Sequence, residues 1–194
     1  MEHVVLLSSS AVDSPDAASN PIGASHLAVE KSLAAAGLTT TTLRPGGFDS
    51  NAFGWIEAIA AGRPIEHPYP DAALAMIHPL DIADIAVAAL TGDELRGRTV
   101  SLTGPEPISF RAQIAALSAA VGREIPIVPI TRDEGRTQLS RTMPPYIVDA
   151  LLTVWARTTE EPETPADTAE TLLGIPARTF EQWARENAGA FAPA

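Results

Sequence analysis

The sequence predicts an α/β fold with a mainly helical C-terminal lobe, and three observations lead to this prediction. A short continuous apolar run, residues 3–9, is typical of a strand buried on both faces of a parallel sheet. Strand-like and helix-like segments then alternate as far as residue 104, as they do in α/β sheets. Beyond Gly104 the pattern is almost entirely helical. We therefore expect two parts, residues 1–104 and residues 105–194, with residues 63–78 contributing to a pocket.

In the first part, capping residues and glycines set the limits of the predicted elements. Asn20 as N-cap, Pro21 at the first helical position and Gly37 just past the end predict a helix between them. The β-branched run 39–43 predicts a second strand, which ends in a loop over 44–47. The other predicted elements are a polar loop through residue 19, a helix over 50–61, extended pieces within 63–78 that end with 74–77, a helix over 79–90 and a strand over 99–102.

The second part is predicted to contain five helices. Ser109 is placed to cap a helix that ends at Val121, before Gly122. A short extended segment interrupted by prolines follows over 125–130. The remaining helices are predicted over 132–141, 145–156, 165–173 and from 179 onward, with an acidic, proline-broken loop over 157–166.

The composition excludes several classes of protein. The chain has 24 acidic and 13 basic residues and a net charge of −11, whereas a nucleic-acid binder needs a basic face to neutralise phosphates. No run approaches the roughly 18–20 apolar residues of a membrane span, and the N-terminus lacks the basic region of a signal peptide. The absence of cysteine excludes disulfides and thiolate catalysis. We expect a cytoplasmic protein with no nucleic-acid or membrane partner.

Motifs that bind phosphates or metals are missing from the sequence. The 13 glycines form neither a G-x-G-x-x-G turn nor a P-loop. His3, His26, His67 and His78 are scattered, and no two of them have the i, i+4 spacing of metal ligands on a helix. We therefore expect no metal site.

One predicted helix concentrates titratable side chains. His26 and Glu30 are four residues apart and share a face, and Ser8 and Ser9 end the preceding strand, where α/β sheets place ligands. A carboxylate one turn from an imidazole would raise the pKa of the ring and orient it. The pattern supports an acid/base cluster of Ser9, His26 and Glu30. Spacing alone favours the simpler alternative, a surface helix with one ion pair.

A polar and aromatic set is a candidate pocket for an apolar ligand. Its members are Phe48, Trp55, His67, Tyr69, Met76, His78 and Tyr146. The simpler alternative is that Trp55 and Met76 belong to the core and that the histidines are hydrogen-bonded loop residues. Asp81 and Asp84, close to a predicted helix start, are expected to stabilise that N-terminus through the helix dipole.

The order of several short motifs carries a resemblance to a known family. The chain resembles the C-terminal two thirds of an NmrA-like protein, an atypical branch of the short-chain dehydrogenase/reductase superfamily. Each motif is modest, but their order and spacing span nearly the whole chain. The matching stretches are 4–9, 26–33, 36–39, 42–46, 78–86, 102–105 and 175–183.

The resemblance implies a Rossmann-type parallel sheet and, in complete members, a bound NAD(P)H. Ser8 or Ser9 falls at the end of the strand that carries the superfamily's catalytic serine. His26 falls where standard members have their tyrosine, and Glu30 falls where they have their lysine. The turn at Pro45 and Gly46 falls on the loop that approaches the nicotinamide.

Two departures from the family pattern matter. The replacement of tyrosine and lysine by His26 and Glu30 removes the usual proton donor and the lysine that lowers its pKa. The family's first strand, glycine-rich turn and following βα units have no counterpart, so the predicted Rossmann-like sheet is truncated. We therefore expect no cofactor to bind to the isolated chain, and NAD(P)H to bind only if the missing half is supplied.

Three functions stay open, each with a small-molecule substrate or ligand. The first is an NAD(P)-dependent oxidoreductase for a small apolar carbonyl, quinone or alkene, incomplete as this chain alone, with His26 or Ser9 as proton donor. The second is a cofactor-independent cyclase, isomerase or dehydratase that uses His26 and Glu30. The third is a non-catalytic binding or regulatory module. In each case the apolar strand at 3–9 would be a free sheet edge, so we expect a homodimer or a separate N-terminal half to cover it.

Overall fold

The fold is described by a computed structural model for residues 3–192. The strands are β1 (His3–Leu7), β2 (Thr39–Pro45), β3 (Ile65–His67), β4 (Ala73–Leu74), β5 (Thr99–Leu102), β6 (Ile108–Ser109) and β7 (Ile127–Pro129). The α-helices are α1 (Pro21–Ala35), α2 (Ile56–Ala60), α3 (Pro79–Thr91), α4 (Phe110–Val121), α5 (Arg132–Leu139), α6 (Pro145–Glu160), α7 (Ala169–Leu173) and α8 (Phe180–Glu186). Short 3-10 helices cover Ser10–Asp13, Asp49–Trp55 and Ala188–Phe191.

The central sheet is parallel and confirms the predicted α/β fold class. β2 lies in the middle, with β1 on one side and β5 on the other. The register sets Val5 beside Thr41 and Leu43 beside Val100. Because the three strands run in the same direction, their carboxyl ends meet at one edge of the sheet, where α/β folds bind ligands.

Two smaller strand pairs join the chain's first part to its helical lobe. β3 pairs in parallel with β7, and β4 pairs antiparallel with β6. The sequence predicts extended pieces within 63–78 and 125–130, but nothing in their composition identifies their partners. Their pairing fastens residues 65–74 to the C-terminal lobe. The boundary between the two predicted parts, at residue 104, stays a prediction.

Two predicted elements near the site have different limits in the structure. The strand expected over 3–9 ends at Leu7, because Ser9 already caps the 3-10 helix that follows. The helix expected over 50–61 is a 3-10 helix followed by the short α2. Phe48 supplies no side-chain cap there, and Gly54 weakens the helical run, so a continuous α-helix is not favoured.

The acidic segment between α6 and α7 lies later in the chain than predicted. α6 continues to Glu160, into the predicted 157–166 loop, because no proline or glycine interrupts it before Pro162. The helix expected from 165 begins only after Thr168, which exchanges capping hydrogen bonds with Thr171. None of the helices in residues 3–192 is long and apolar enough to cross a bilayer.

Buried hydrophobic side chains form three clusters in the described part of the chain. The first, here called the sheet cluster, packs α3 against β2 and β5 and includes Leu43, Ile77, Ile85, Val100 and Leu102. The second, the lobe cluster, joins α4 to α8 and includes Ile59, Ile65, Ile114, Leu117, Phe180 and Trp183. The third includes Leu74, Met76 and Phe110. Residues from before position 104 thus contribute to the core of the C-terminal lobe.

Candidate functional site

The ends of the parallel strands bring the predicted catalytic and cofactor-contacting residues to one edge of the sheet. Ser8 and Ser9 follow β1 directly, and the Ser8 amide donates a hydrogen bond to the Leu43 carbonyl at 2.7 Å. In the Pro45–Gly46 turn at the end of β2, the Gly46 amide donates to the Leu102 carbonyl at 3.0 Å. This edge of the sheet is therefore the candidate site.

Glu30 on α1 is held by Arg44 on β2 and by Ser8. Arg44 Nε and Nη2 donate to the two carboxylate oxygens of Glu30 at 3.0 and 2.6 Å, and Ser8 Oγ donates to Glu30 Oε1 at 2.5 Å. On its other side, Arg44 Nη1 donates to Asp13 at 2.5 Å, and Ser101 Oγ donates to the same carboxylate at 2.5 Å. We call Ser8, Asp13, Glu30, Arg44 and Ser101 the strand-end network.

The strand-end network sets the charge state of Glu30. Burial by itself would raise the pKa of Glu30, but hydrogen bonds from Arg44 and Ser8, with the positive charge of Arg44, outweigh it and hold the pKa below its ordinary value. His26, one turn earlier on α1, adds only a through-space attraction. Glu30 is thus bonded to Arg44 and Ser8, rather than to His26 as the predicted acid/base pair requires. An ionised carboxylate that already accepts hydrogen bonds from two residues is a poor general base.

Arg44 is not among the predicted site residues, because the sequence pattern assigns it to the loop over 44–47. In the structure, β2 continues to Pro45. Successive side chains of a strand point to opposite faces, so Arg44 faces α1 while Leu43 enters the sheet cluster. Extending the alternation of the predicted strand by one residue was the available signal.

Ser9 uses its hydroxyl group differently from Ser8. Ser9 Oγ accepts the Ala11 amide at 3.2 Å and caps the 3-10 helix. The Ser8 proton, in contrast, is donated to Glu30. Among residues 3–192 no acceptor engages the Ser9 hydroxyl proton, so Ser9 is the serine of this pair that is able to donate a hydrogen bond to a ligand.

Three oxygen atoms lie close to the Cα of Gly46. A methyl-sized group on its Cα would lie 3.7 Å from Glu163 Oε1, 3.8 Å from Ser10 Oγ and 3.9 Å from the Leu102 carbonyl oxygen. These distances are ordinary van der Waals contacts, so an alanine side chain would fit at this position. The Pro45–Gly46 turn lies at the strand ends, where the resemblance implies the nicotinamide, but the 194 residues contain no glycine-rich turn for the pyrophosphate.

Four of the predicted pocket residues share one buried aromatic cluster. The centroid of the His67 ring lies 4.0 Å from that of Phe110 and 4.8 Å from that of Trp155. Burial lowers the pKa of His67 to about 4, so the ring is neutral, and its Nδ1 accepts the Tyr69 amide. These side chains pack against one another as part of the hydrophobic core. The other predicted members of the cluster are Trp55, Tyr69 and Met76.

The other three predicted pocket residues lie apart from this cluster. Phe48 packs against the sheet cluster. His78 is buried at the start of α3, where its Nδ1 accepts the Leu80 amide at 3.1 Å and its Nε2 lies 3.2 Å from Glu186 Oε2. Tyr146 is 56% exposed on α6. The structure therefore separates these three positions from the aromatic cluster.

A buried carboxyl group that the sequence analysis did not single out follows the Gly46 turn. Asp49 is 0% exposed, and neither of its carboxyl oxygens has a hydrogen-bond partner among the described residues. Burial, and then the negative charges of Asp81 and Glu181, raise the pKa of Asp49 to about 8. Asp81 and Asp84 both form ion pairs with Arg178. The sequence predicts that these two residues stabilise a helix start through the helix dipole, and it does not predict the ion pairs. We call these five residues the Asp49 region.

Other parts of the described structure offer less chemistry. Within residues 3–192 no three or more His, Asp or Glu side chains are arranged to hold a metal ion. Two open surface depressions lie away from the strand ends, one along α5 from Asp133 to Arg141 and one between α4 and residues 124–127. Neither is lined by a residue of the strand-end network, so we identify the site by its side-chain chemistry.

Comparisons of sequence connect the chain to known reductases. No protein-family model matches it. A (4-alkanoyl-5-oxo-2,5-dihydrofuran-3-yl)methyl phosphate reductase from Streptomyces griseus is 37% identical over 194 residues, which is all of this chain and 68% of that protein. An NAD(P)H azoreductase from Xenophilus azovorans is 32% identical over 188 residues, or 95% of this chain and 64% of that protein. The chain thus spans about two thirds of the length of these curated relatives.

Comparison with solved structures gives the same extent of similarity. An NADPH-dependent quinone oxidoreductase from Escherichia coli, solved with NADPH, has a TM-score of 0.77 and 19% sequence identity. The match covers 96% of this chain and 65% of that chain. At this level of identity the likeness concerns the fold alone, which is Rossmann-like.

Proposed function

Because the chain belongs to the NmrA-like branch of the short-chain dehydrogenase/reductase superfamily, we propose that it is the catalytic and substrate-binding part of an NAD(P)H-dependent reductase. The substrate in this proposal is a small, largely apolar carbonyl compound, quinone or alkene. The names of the two relatives, which describe reductases of small molecules, support reduction as the reaction.

The observation that carries the proposal is that the two serines at the end of β1 have different hydrogen-bond partners. Ser8 donates its proton to Glu30, whereas the Ser9 hydroxyl accepts the Ala11 amide and keeps its own proton for a substrate oxygen. His26 is partly exposed on α1, the helix that carries Glu30, and is the second group able to supply a proton. Reduction of a carbonyl or alkene consumes one proton, and a positioned donor is what this edge offers.

The residues that would hold the cofactor in this chain are those around the Pro45–Gly46 turn. NAD(P)H, when bound, supplies the hydride that reduces the substrate. In the proposal, the Pro45–Gly46 turn and Ser10 contact the nicotinamide end. The pyrophosphate would be held by residues outside these 194, because a cradle needs backbone amides at a glycine-rich helix start. Turnover in this proposal therefore requires a nucleotide-binding half.

Substitution of the two proton-donor candidates tests the proposed reaction. With the nucleotide-binding half supplied, we expect oxidation of NADPH in the presence of quinones, azo compounds or unsaturated lactones. His26→Ala should lower turnover by roughly 10²–10⁴-fold, and Ser9→Ala should reduce it as well, because each removes a proton donor. Lys31→Ala, a change on the exposed side of the same helix, is the matched control. Unchanged turnover in both variants would refute these roles.

The free edge of β1 supports a proposal about partners. β1 pairs with β2 along its full length, no strand in the described residues pairs with its other edge, and Leu7 is 50% exposed. We infer that a second copy or a nucleotide-binding half covers this edge. Leu7→Lys should disrupt the assembly, whereas Val87→Lys, equally exposed on α3, should leave it intact. Sedimentation that shows a well-folded wild-type monomer at micromolar concentration would contradict the inference.

A further inference from the structure

The Ser9 hydroxyl is oriented by the short 3-10 helix that it caps. Ser9 Oγ accepts the Ala11 amide at 3.2 Å, and the Ser9 carbonyl accepts the Val12 amide at 3.1 Å. Unwinding of the helix, Ser10–Asp13, would break both bonds and allow the Ser9 side chain to rotate. None of the four residues of this helix is buried, so its conformation depends on contacts with neighbouring elements.

Asp13 fastens the far end of this helix to the central sheet. Its Oδ1 accepts Arg44 Nη1 from β2, and its Oδ2 accepts Ser101 Oγ from β5, each at 2.5 Å. Both carboxylate oxygens are thus bound to strands, and one of the two bonds joins opposite charges. The last residue of the helix therefore cannot move away from the sheet unless these bonds break.

A close backbone contact with α1 holds the middle of the same helix. A Cβ on Gly23 would lie only 2.8 Å from the carbonyl oxygens of Ala11 and Ala17, closer than nonbonded atoms approach. Glycine is therefore what allows α1 to approach residue 11 so closely. Ala11, whose amide binds Ser9 Oγ, is held by this contact from the side of α1.

We propose that Asp13 is a positioning residue, which holds the 3-10 helix so that the Ser9 hydroxyl keeps one orientation, with its proton directed to a substrate oxygen. The role of Ser9 as proton donor rests on the proposed function. Displacement of a reacting group by about 1 Å can cost about 10²-fold in rate, so a residue that touches no substrate can control turnover through the donor that it positions. Loss of Asp13 should therefore lower kcat and leave KM nearly unchanged.

Hydrogen exchange of the Ala11 and Val12 amides tests the positioning without any need for activity. In the isotope-labelled full chain, Asp13→Ala should accelerate the exchange of both amides by at least about fivefold, because the end of the helix is released. Gly23→Ala should accelerate it as well, since the added Cβ displaces residue 11. Asp16→Asn removes the same charge from an exposed position of the same loop and should exchange as the wild type does. Unchanged exchange in Asp13→Ala would overturn the proposal.

Kinetics with the nucleotide-binding half supplied test whether Asp13 acts through Ser9. We expect Asp13→Ala to lower kcat by about 10–10²-fold and to change KM by less than about twofold. In a Ser9→Ala background the same substitution should lower kcat by less than about twofold, because the group that it positions is gone. An equal loss in both backgrounds would indicate a general structural effect and overturn the proposal. Circular dichroism checks that each variant retains its fold.

The two measurements separate this proposal from the proposed function. Faster exchange of the Ala11 amide in Asp13→Ala, together with no reductase activity of the wild type, would refute the proposed function and uphold the positioning of Ser9. Reductase activity that Asp13→Ala leaves unchanged would overturn this proposal and leave the proposed function standing.

Discussion

The strand-end network and the Asp49 region each place one arginine between two carboxylates, but only the Asp49 region also contains a carboxyl group without a partner. In the network, Arg44 binds both Glu30 and Asp13, so each of these carboxylates has a positively charged partner. In the Asp49 region, Arg178 binds Asp81 and Asp84, and the third carboxyl group, that of Asp49, is fully buried without a hydrogen bond.

The difference shows how partners and solvent decide the charge of an acidic side chain. Hydrogen bonds and a nearby cation hold the pKa of Glu30 below its ordinary value even though burial opposes this. Burial without a partner raises the pKa of Asp49 to about 8, so this group is protonated near neutral pH. The two regions should therefore give the free energy of unfolding opposite dependences on pH.

Removal of the arginine from the Asp49 region should have the largest effect on stability. In Arg178→Ala the Asp81 side chain, 1% exposed, loses its counter-ion while it stays buried. We expect the free energy of unfolding to fall by about 3–5 kcal/mol, measured by urea denaturation at neutral pH. Arg185→Ala, at an exposed position of α8, is the control and should change it by less than about 0.5 kcal/mol. Equal losses in both variants would contradict the importance of the ion pair.

Neutralising Asp49 should have the next largest effect, and the effect should depend on pH. The folded-state pKa of about 8 lies above the ordinary value of 3.8, so the folded state binds the proton more tightly and stability falls as the pH rises between these values. Asp49→Asn should remove this decline and stabilise the protein by about 2–3 kcal/mol at pH 8. Urea denaturation across this range measures it, with exposed Asp93→Asn as control. A wild-type stability that rises over the same range would exclude a protonated Asp49.

Removal of the arginine from the strand-end network should have the smallest effect. Arg44→Ala breaks ion pairs with partly exposed carboxylates, so we expect a loss of only about 1 kcal/mol at neutral pH. The lowered pKa of Glu30 makes this contribution present above its ordinary value of 4.5 and lost as the pH falls through its folded value. The difference between wild type and variant, measured by thermal unfolding, should therefore shrink at acid pH. A difference that grows on acidification would contradict this account.

Several elements were predictable because their signals are local. The Asn20 side chain accepts the amides of Ile22 and Gly23, and α1 begins at Pro21, as the sequence predicts. Gly122 adopts a positive φ of 71°, and α4 ends at the preceding residue, Val121, also as predicted. Such signals act within a few residues along the chain, so no knowledge of the tertiary structure is needed to use them.

By itself the sequence determined the parallel α/β architecture and the placement of Ser9 and Gly46 at strand ends. Both follow from the hydrophobic pattern and from the prolines, glycines and capping residues that end strands and helices. Only the tertiary structure decided that Glu30 binds Arg44 instead of His26, that Asp49 lacks a partner, and that Glu163 accepts the Ala75 amide. Ala75 and Glu163, for example, are 88 residues apart in the chain. Contacts of this kind depend on how the elements pack, and packing follows from the buried surface of the whole fold rather than from any local pattern.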